Sequence, residues 1–255
     1  MKRDERRQAI MDLLVGARAV DLDDLADRFA VSRMTIHRDL DDLEQAGLLR
    51  KVRGGATIEA GTQFESDFRI RALQDSDAKA RMARAALDLV EPGMTVMVND
   101  GSMAALLGAN LTDKAPLTVI TNNAAVIDRL KDAPRITLIA LGGTYSAKFN
   151  GFFGVLTEKS IAELRADIAF LSSSAIDGRT AFHQDQEVLE VKRGMIASSA
   201  SRYLMVDHRK FGRTALHRLA DLDVFDGVVT SAALPQERAD ALRQDGIKLY
   251  FAEEG

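Results

Sequence analysis

Near Ala78 the spacing of apolar residues changes character, and that change constrains the fold more than any other feature of the chain. Before it, apolar residues recur at helical intervals in three short runs. After it, short apolar runs alternate with helical ones. Strands alternating with helices build a mainly parallel sheet covered on both faces. The expected strands are 95–98, 117–121, 136–141, 168–171, 203–206, 228–230 and 248–250. The expected helices are 78–90, 104–111, 124–130, 157–164, 188–201 and 236–245. At 255 residues the chain is long enough for this domain and one small one. The expected organisation is therefore a small domain over 1–58, a partly ordered linker over 59–77 and an α/β domain over 78–255.

In the first fifty residues, Ile10, Leu13 and Leu14 form the stripe of a helix that begins near Asp4 and breaks at Gly16. Asp21 is placed to cap a second helix with inner face Leu22, Leu25, Ala26 and Phe29. Ser32 caps a third, on which Ile36, Leu40 and Leu43 face inward, and Gly47 ends it. Met34, Arg38 and Gln45 then lie on the opposite side, flanked near the helix start by Arg33, Thr35 and His37. Two readings fit: a bundle with a solvated charged face, or a helix-turn-helix whose third helix enters the major groove.

The next segment separates them. Arg50, Lys51 and Arg53 stand on a short hairpin with Gly54-Gly55 at its tip, a wing that offers cations to phosphates or to the neighbouring minor groove. The DNA-facing candidates are thus Arg33, Met34, Thr35, His37, Arg38, Arg50, Lys51 and Arg53. A net charge of −4 argues against indiscriminate coating of nucleic acid but not against a local basic face. Asp39, Asp41, Asp42 and Glu44 gather toward the C-terminal half of the third helix, away from the cations.

Other classes are excluded more simply. The absence of cysteine removes disulfide frameworks, thiolate metal sites and cysteine nucleophiles. MKRDERRQAI has no apolar core behind its basic residues, so it is not a signal peptide. No apolar run approaches the roughly 20 residues that cross a bilayer. The expected location is the cytoplasm, with no membrane partner. His37, His183, His208 and His217 are scattered and assemble no acid–base constellation, so no catalytic residue, metal or cofactor is expected.

In the second domain, polar groups gather where strands end. Asn99-Asp100-Gly101-Ser102 precedes a helix whose free N–H groups suit an anion. Thr121-Asn122-Asn123, Gly142-Gly143, Ser172-Ser173-Ser174, Asp177-Gly178 and Asp207-His208-Arg209-Lys210 follow other strands. Ligands of open α/β sheets bind at the carboxyl ends of the strands, so these groups should share a crevice. Lys192 and Lys210 are candidate cations for a phosphate, and Asp177 and Glu187 are candidate acceptors for hydroxyls. For Glu187 and Lys192 a plain surface role on a charged helix fits equally well.

Val31-Ser32-Arg33-Met34-Thr35-Ile36-His37-Arg38-Asp39-Leu40, with Leu43, Gly47 and Arg53-Gly54-Gly55-Ala56, resembles the DNA-binding domain of the DeoR family. His37 stands where that family usually has arginine, which implies altered base preference or weaker phosphate contact. Leu141-Gly142-Gly143-Thr144-Tyr145, Gly154, Asp167-Ile168-Ala169-Phe170-Leu171, Ile176-Asp177-Gly178, Val191-Lys192-Arg193 and Asp207–Arg213 are similar to the family's sensor domain. Thr121-Asn122-Asn123 with Lys210-Phe211-Gly212-Arg213 leans toward its glycerol-3-phosphate-repressor branch. The resemblance runs from about Arg6 to Ala252. It implies a sensor fold akin to ribose-phosphate isomerases and glucosamine-phosphate deaminases, used for binding rather than turnover. It also implies a repressor of carbohydrate or polyol catabolism genes, a homo-oligomer (dimer or tetramer) on a double-stranded operator, released by a phosphorylated sugar or polyol. The effector-site candidates are Asn99, Asp100, Gly101, Ser102, Thr121, Asn122, Gly142, Gly143, Asp177, Glu187, Lys192 and Lys210. The family's phosphate loop reads Asp-x-Gly-Thr/Ser-Thr. Asn99 and Met103 depart from it, removing a carboxylate and a hydroxyl, which implies a different ligand preference.

Overall fold

A computed structural model describes residues 2–57, 67–73 and 76–253. The chain divides into two compact units, Met1–Gln74 and Asp75–Gly255. The first contains α1 (Arg3–Ala17), β1 (Ala19–Asp21), α2 (Leu22–Phe29), α3 (Arg33–Gln45), β2 (Arg50–Val52), β3 (Gly55–Thr57) and α4 (Phe68–Leu73). Asp21 caps α2 by accepting from the N–H groups of Asp23 and Asp24 at 2.7 and 3.3 Å. Ser32 caps α3 through the N–H of Thr35 at 3.2 Å, and Gly47 follows its end in the left-handed region. Ile10, Leu14, Leu25, Ile36, Leu40 and Leu43 close one core.

The wing is a β2–β3 hairpin with Val52 opposite Gly55, so Arg53-Gly54 makes the turn. β1 pairs with the other edge of β3. That closure requires glycine at position 55, where a Cβ would stand 2.0 Å from the Val20 carbonyl oxygen.

Two expectations need correction here. α1 does not break at Gly16 but runs through Ala17, closing at Arg18 (φ 62°), whose N–H reaches the Leu14 carbonyl. The expected linker also contains α4, because Ile70 on it has no exposed surface and joins the core of the first unit. Residues 59–66, 74 and 75 of that segment lie outside the described residues.

The second unit runs α5 (Ser76–Leu87), β4 (Thr95–Val98), α6 (Ser102–Asn110), β5 (Leu117–Thr121), α7 (Ala124–Leu130), β6 (Ile136–Ala140), β7 (Thr144–Ser146), β8 (Gly151–Phe153) and α8 (Val155–Ala162). It continues with β9 (Ala166–Ser172), β10 (Ala175–Asp177), β11 (Thr180–His183), α9 (Gln186–Ala197), β12 (Ser199–Met205), β13 (His217–Asp221), β14 (Gly227–Ser231), α10 (Gln236–Gln244) and β15 (Leu249–Ala252). Seven strands form a wholly parallel sheet in the order β15-β14-β12-β9-β4-β5-β6. α5, α6 and α7 pack into the core on one face, and α8, α9 and α10 into the core on the other.

The seven sheet strands match the seven expected ones to within a few residues at their ends. The helix expected over 188–201 does not. α9 stops at Ala197, and Ser199 already pairs with Ala166 of β9. The Ser198 carbonyl takes the Ala166 N–H at 2.9 Å, so sheet pairing displaces the helical continuation. The β7–β8 hairpin and the small antiparallel sheet β10-β11-β13 were not expected.

Strand order locates the crevice. From β4 the chain moves outward through β5 to β6, then returns to β9 on the other side of β4 and moves outward the opposite way. The connections after β4 and β9 therefore diverge, and the gap between their carboxyl ends is the switch point where such sheets bind ligands. Among the described residues, no helix is long and apolar enough to cross a membrane.

Candidate functional site

On the first unit, the α3 face opposite the core carries exposed Arg33, Met34, His37 and Arg38, with Met34 61% exposed. Arg50 and Arg53 are exposed on the wing. Arg33 meets Asp23 at 2.7 Å, but both side chains are more than half exposed, so the pair costs little to exchange for a phosphate. Thr35 is half-buried and tied to the cap, its hydroxyl 2.9 Å from that of Ser32. Lys51 differs from its expected role. Its ammonium pairs with Asp41 and its N–H donates to Glu44 at 2.7 Å, which turns it onto the acidic half of α3.

Asp39 is not on that outer half. It stands among Ile36, Leu40 and Leu43 in the inward stripe, 1% exposed. Arg6 holds it at 2.6 Å and Arg7 at 3.5 Å, while Asp42 pairs with Arg3 and Arg7. Two of the four carboxylates on α3 are thus neutralised by α1. This pairing, as much as segregation along the helix, leaves the outer face basic. Sequence reasoning missed these arginines, although Arg6 continues the Ile10–Leu14 stripe at the same spacing.

At the switch point the structure brings several predicted residues into one hydrogen-bonded network. Asp100, with Gly101 (φ 109°), leads into α6, and its carboxylate accepts from the Lys192 ammonium of α9 at 2.8 Å. Both side chains are 1% exposed. Lys192 is therefore neither a surface residue nor a cation reserved for a ligand, and Asp100 does not present an unbalanced charge there. Asn99 donates to Asp100 at 3.3 Å and to Ser172 at 3.4 Å, bridging the β4 and β9 ends. Asn122 donates to the Phe152 carbonyl at 3.0 Å. The Thr121 hydroxyl is committed to the Val98 carbonyl at 2.7 Å, sewing β5 to β4.

Lys79 joins this network unanticipated, and Asn123, expected in the crevice with Thr121 and Asn122 but not among the effector candidates, joins it too. Asn123 caps α7 and clamps the loop by donating to the Asn99 and Gly101 carbonyls. Lys79 of α5, 7% exposed, reaches the Ser102 hydroxyl at 3.3 Å, which puts a cation at the N-terminus of α6. Its signal was legible: it occupies the apolar stripe continued by Met82, Ala83 and Ala86.

The remaining candidates are placed differently. The Gly142 carbonyl accepts from Thr157 at 2.6 Å. A Cβ on Gly143 would meet Thr157 at 2.3 Å and the Phe153 carbonyl at 2.5 Å, so Gly143 lets the hairpin pack on α8. Asp177 is exposed and lines a 550 Å³ pocket with Gly212 and Arg238, residues outside the Asn99–Asn122 network. Glu187 is exposed on the first turn of α9, and Lys210 is half-buried in the turn after β12. Burial raises the Asp207 pKa, but hydrogen bonds from Arg209 outweigh it and hold the carboxyl below its usual range. Met103 is 6% exposed in the apolar core with Met82 and Leu107. Its departure from the family loop is thus a packing change, and threonine there would lose contacts without facing a ligand.

Residues 6–61 match the model of the DeoR-like helix-turn-helix domain, and residues 74–232 that of the DeoR C-terminal sensor domain. An uncharacterized HTH-type transcriptional regulator of Escherichia coli (strain K12) is 30% identical over 97% of each chain. The L-fucose operon activator of Haemophilus influenzae is 33% identical over 83% of this chain and 85% of its own. The glycerol-3-phosphate regulon repressor of Escherichia coli (strain K12) is 28% identical over 98% and 99%. Ribose 5-phosphate isomerase A from Methanocaldococcus jannaschii superposes with a TM-score of 0.40 at 19% identity, over 54% of this chain and 55% of its own, a loose likeness. With a DNA-binding and a sensor domain both matched in order along one chain, the protein belongs to the DeoR family of transcriptional regulators.

Proposed function

We propose that the protein is a cytoplasmic repressor of carbohydrate or polyol catabolism genes. It binds a double-stranded operator as a symmetric homo-oligomer, dimer or tetramer, and a phosphorylated sugar or polyol at the switch point releases it. The observation that carries the DNA half is the exposed Arg33, Met34, His37 and Arg38 face of α3 beside the Arg50 and Arg53 wing. Paired half-sites read by two such faces multiply specificity.

The ligand half is supported by the N-terminus of α6, where Gly101 brings the backbone close and Ser102 and Lys79 add a hydroxyl and a cation for a phosphate. Lys210 and Glu187 are candidates for the rest of the ligand, whereas Asp177 lines a separate pocket with Gly212 and Arg238. The relatives named for L-fucose and glycerol-3-phosphate support the sugar or polyol class.

Operator titrations over a range of salt test the DNA half. Arg38→Ala is expected to weaken operator binding about 10- to 100-fold while scarcely changing binding to random DNA, as a base contact would. Arg53→Ala is expected to weaken both alike and to flatten the salt dependence. Unchanged operator affinity in Arg38→Ala would mean that α3 does not read bases.

A further inference from the structure

Two buried carbonyl oxygens at the switch point have no hydrogen-bond partner among the described residues: Oδ1 of Asn99 and Oδ1 of Asn122. Both residues are 0% exposed. Val98 is in register with Thr121, so the two asparagines follow side by side on neighbouring parallel strands. Met97 and Ile120, two residues before each, share one core, which puts both asparagines on the face covered by α9. Adjacent strands lie about 4.8 Å apart, so the two asparagines are neighbours at the ends of β4 and β5.

Their orientation is fixed chemically. Each Nδ2 donates, that of Asn99 to the Asp100 carboxylate and that of Asn122 to the Phe152 carbonyl. Turning either amide would set oxygen against oxygen. Each Oδ1 is therefore held as an acceptor, and a buried acceptor left unmet is costly. The Ser173 hydroxyl, 7% exposed and also without a partner among the described residues, directly follows the next strand, β9.

We infer that Asn99 and Asn122 are specificity-determining residues that accept hydrogen bonds from two hydroxyls of the ligand's polyol chain. The inference rests on the proposed phosphate-ligand reading and divides that site in two. An ionised phosphate has only acceptors and is repelled by this pair, so it belongs at the α6 N-terminus with Ser102 and Lys79. The hydroxyl-bearing carbons extend from there across the β4 and β5 ends. On this account Asn99, at the position of the family's aspartate, keeps an acceptor without adding a charge beside the phosphate.

The test is calorimetric titration of the full chain with polyol phosphates and alkyl phosphates of equal length. The pairs are glycerol 3-phosphate against propyl phosphate, erythritol 4-phosphate against butyl phosphate, and ribitol 5-phosphate against pentyl phosphate. At least one polyol phosphate is expected to bind tenfold or more tightly than its alkyl counterpart, because a site built to bond hydroxyls rejects their absence. In Asn122→Leu and Asn99→Leu that preference is expected to fall toward unity, while alkyl phosphate binding persists. Equal binding of both series to the wild type overturns the inference even if a variant fails to fold, and leaves the phosphate reading standing. A preference that survives in folded variants overturns it as well. Binding of no phosphate at all removes both the inference and the reading beneath it.

Discussion

Lys192→Met is expected to destabilise the sensor unit by about 3–5 kcal/mol, the usual cost of removing one partner from a buried ion pair. The reason is the Asp100 carboxylate, 1% exposed, which loses the ammonium 2.8 Å away. Methionine fills much of the volume of lysine, so the loss is electrostatic rather than steric. The double variant Lys192→Met with Asp100→Asn is therefore expected to recover most of the stability, since a neutral amide no longer needs a countercharge. Urea unfolding of the full chain followed by sensor-unit signals measures both. A single variant within about 1 kcal/mol of wild type would show that Asp100 is stabilised by other groups.

Asp39→Ala is expected to have a comparable effect in the first unit, again about 3–5 kcal/mol. Arg6, 8% exposed, would be left in the core without the carboxylate it holds at 2.6 Å. The consequence for DNA is indirect but larger than that of Arg38→Ala. Asp39 touches no base, yet it fastens α3 to α1, and α3 must hold its angle for its exposed side chains to reach base edges. Operator binding should fall at all salt concentrations, with faster amide exchange in α1 and α3. Unchanged exchange together with wild-type operator affinity would contradict the positioning role.

These two sites share a property that bears on what sequence can reveal. Asp39, Arg6, Lys79 and Lys192 are charged residues standing in apolar helical stripes, and all four are buried. A reading by residue type assigns them to the solvated face. A reading by position puts them inside, where a charge must have a partner. The partner, however, lies on an element distant in sequence. Asp100 is 92 residues from Lys192 and Asp39 is 33 from Arg6, and no local pattern names such pairs.

The sheet was legible for a different reason. Its strands are buried on both faces, so they appear as short apolar runs between helices with clear stop signals. The β7–β8 hairpin and the β10-β11-β13 sheet were not, because strands of three to five residues are too short to show alternation. The end of α9 was missed because nothing in Ser198-Ser199-Ala200-Ser201 breaks a helix, and β9 decides the matter by pairing with Ser199. Within the site, the strand-end polar clusters were recognisable from Asn99–Ser102 and Thr121–Asn122. Which of their atoms remain available for a ligand depends on Lys192, Phe152 and Val98, whose contacts only the fold supplies.

The central claim is that filling the sensor site weakens the grip of α3 on DNA. It is tested most directly by titrating the full-length protein onto its own promoter DNA by fluorescence anisotropy, with and without a saturating polyol or sugar phosphate. Gly101→Val serves as the control, since position 101 has a φ of 109° that a β-branched residue does not tolerate. The account predicts an operator affinity at least tenfold weaker in the presence of one such phosphate for the wild type, and no change for Gly101→Val, which still binds the operator. Operator affinity that is identical with and without every phosphate tested, or a full response in Gly101→Val, would contradict it.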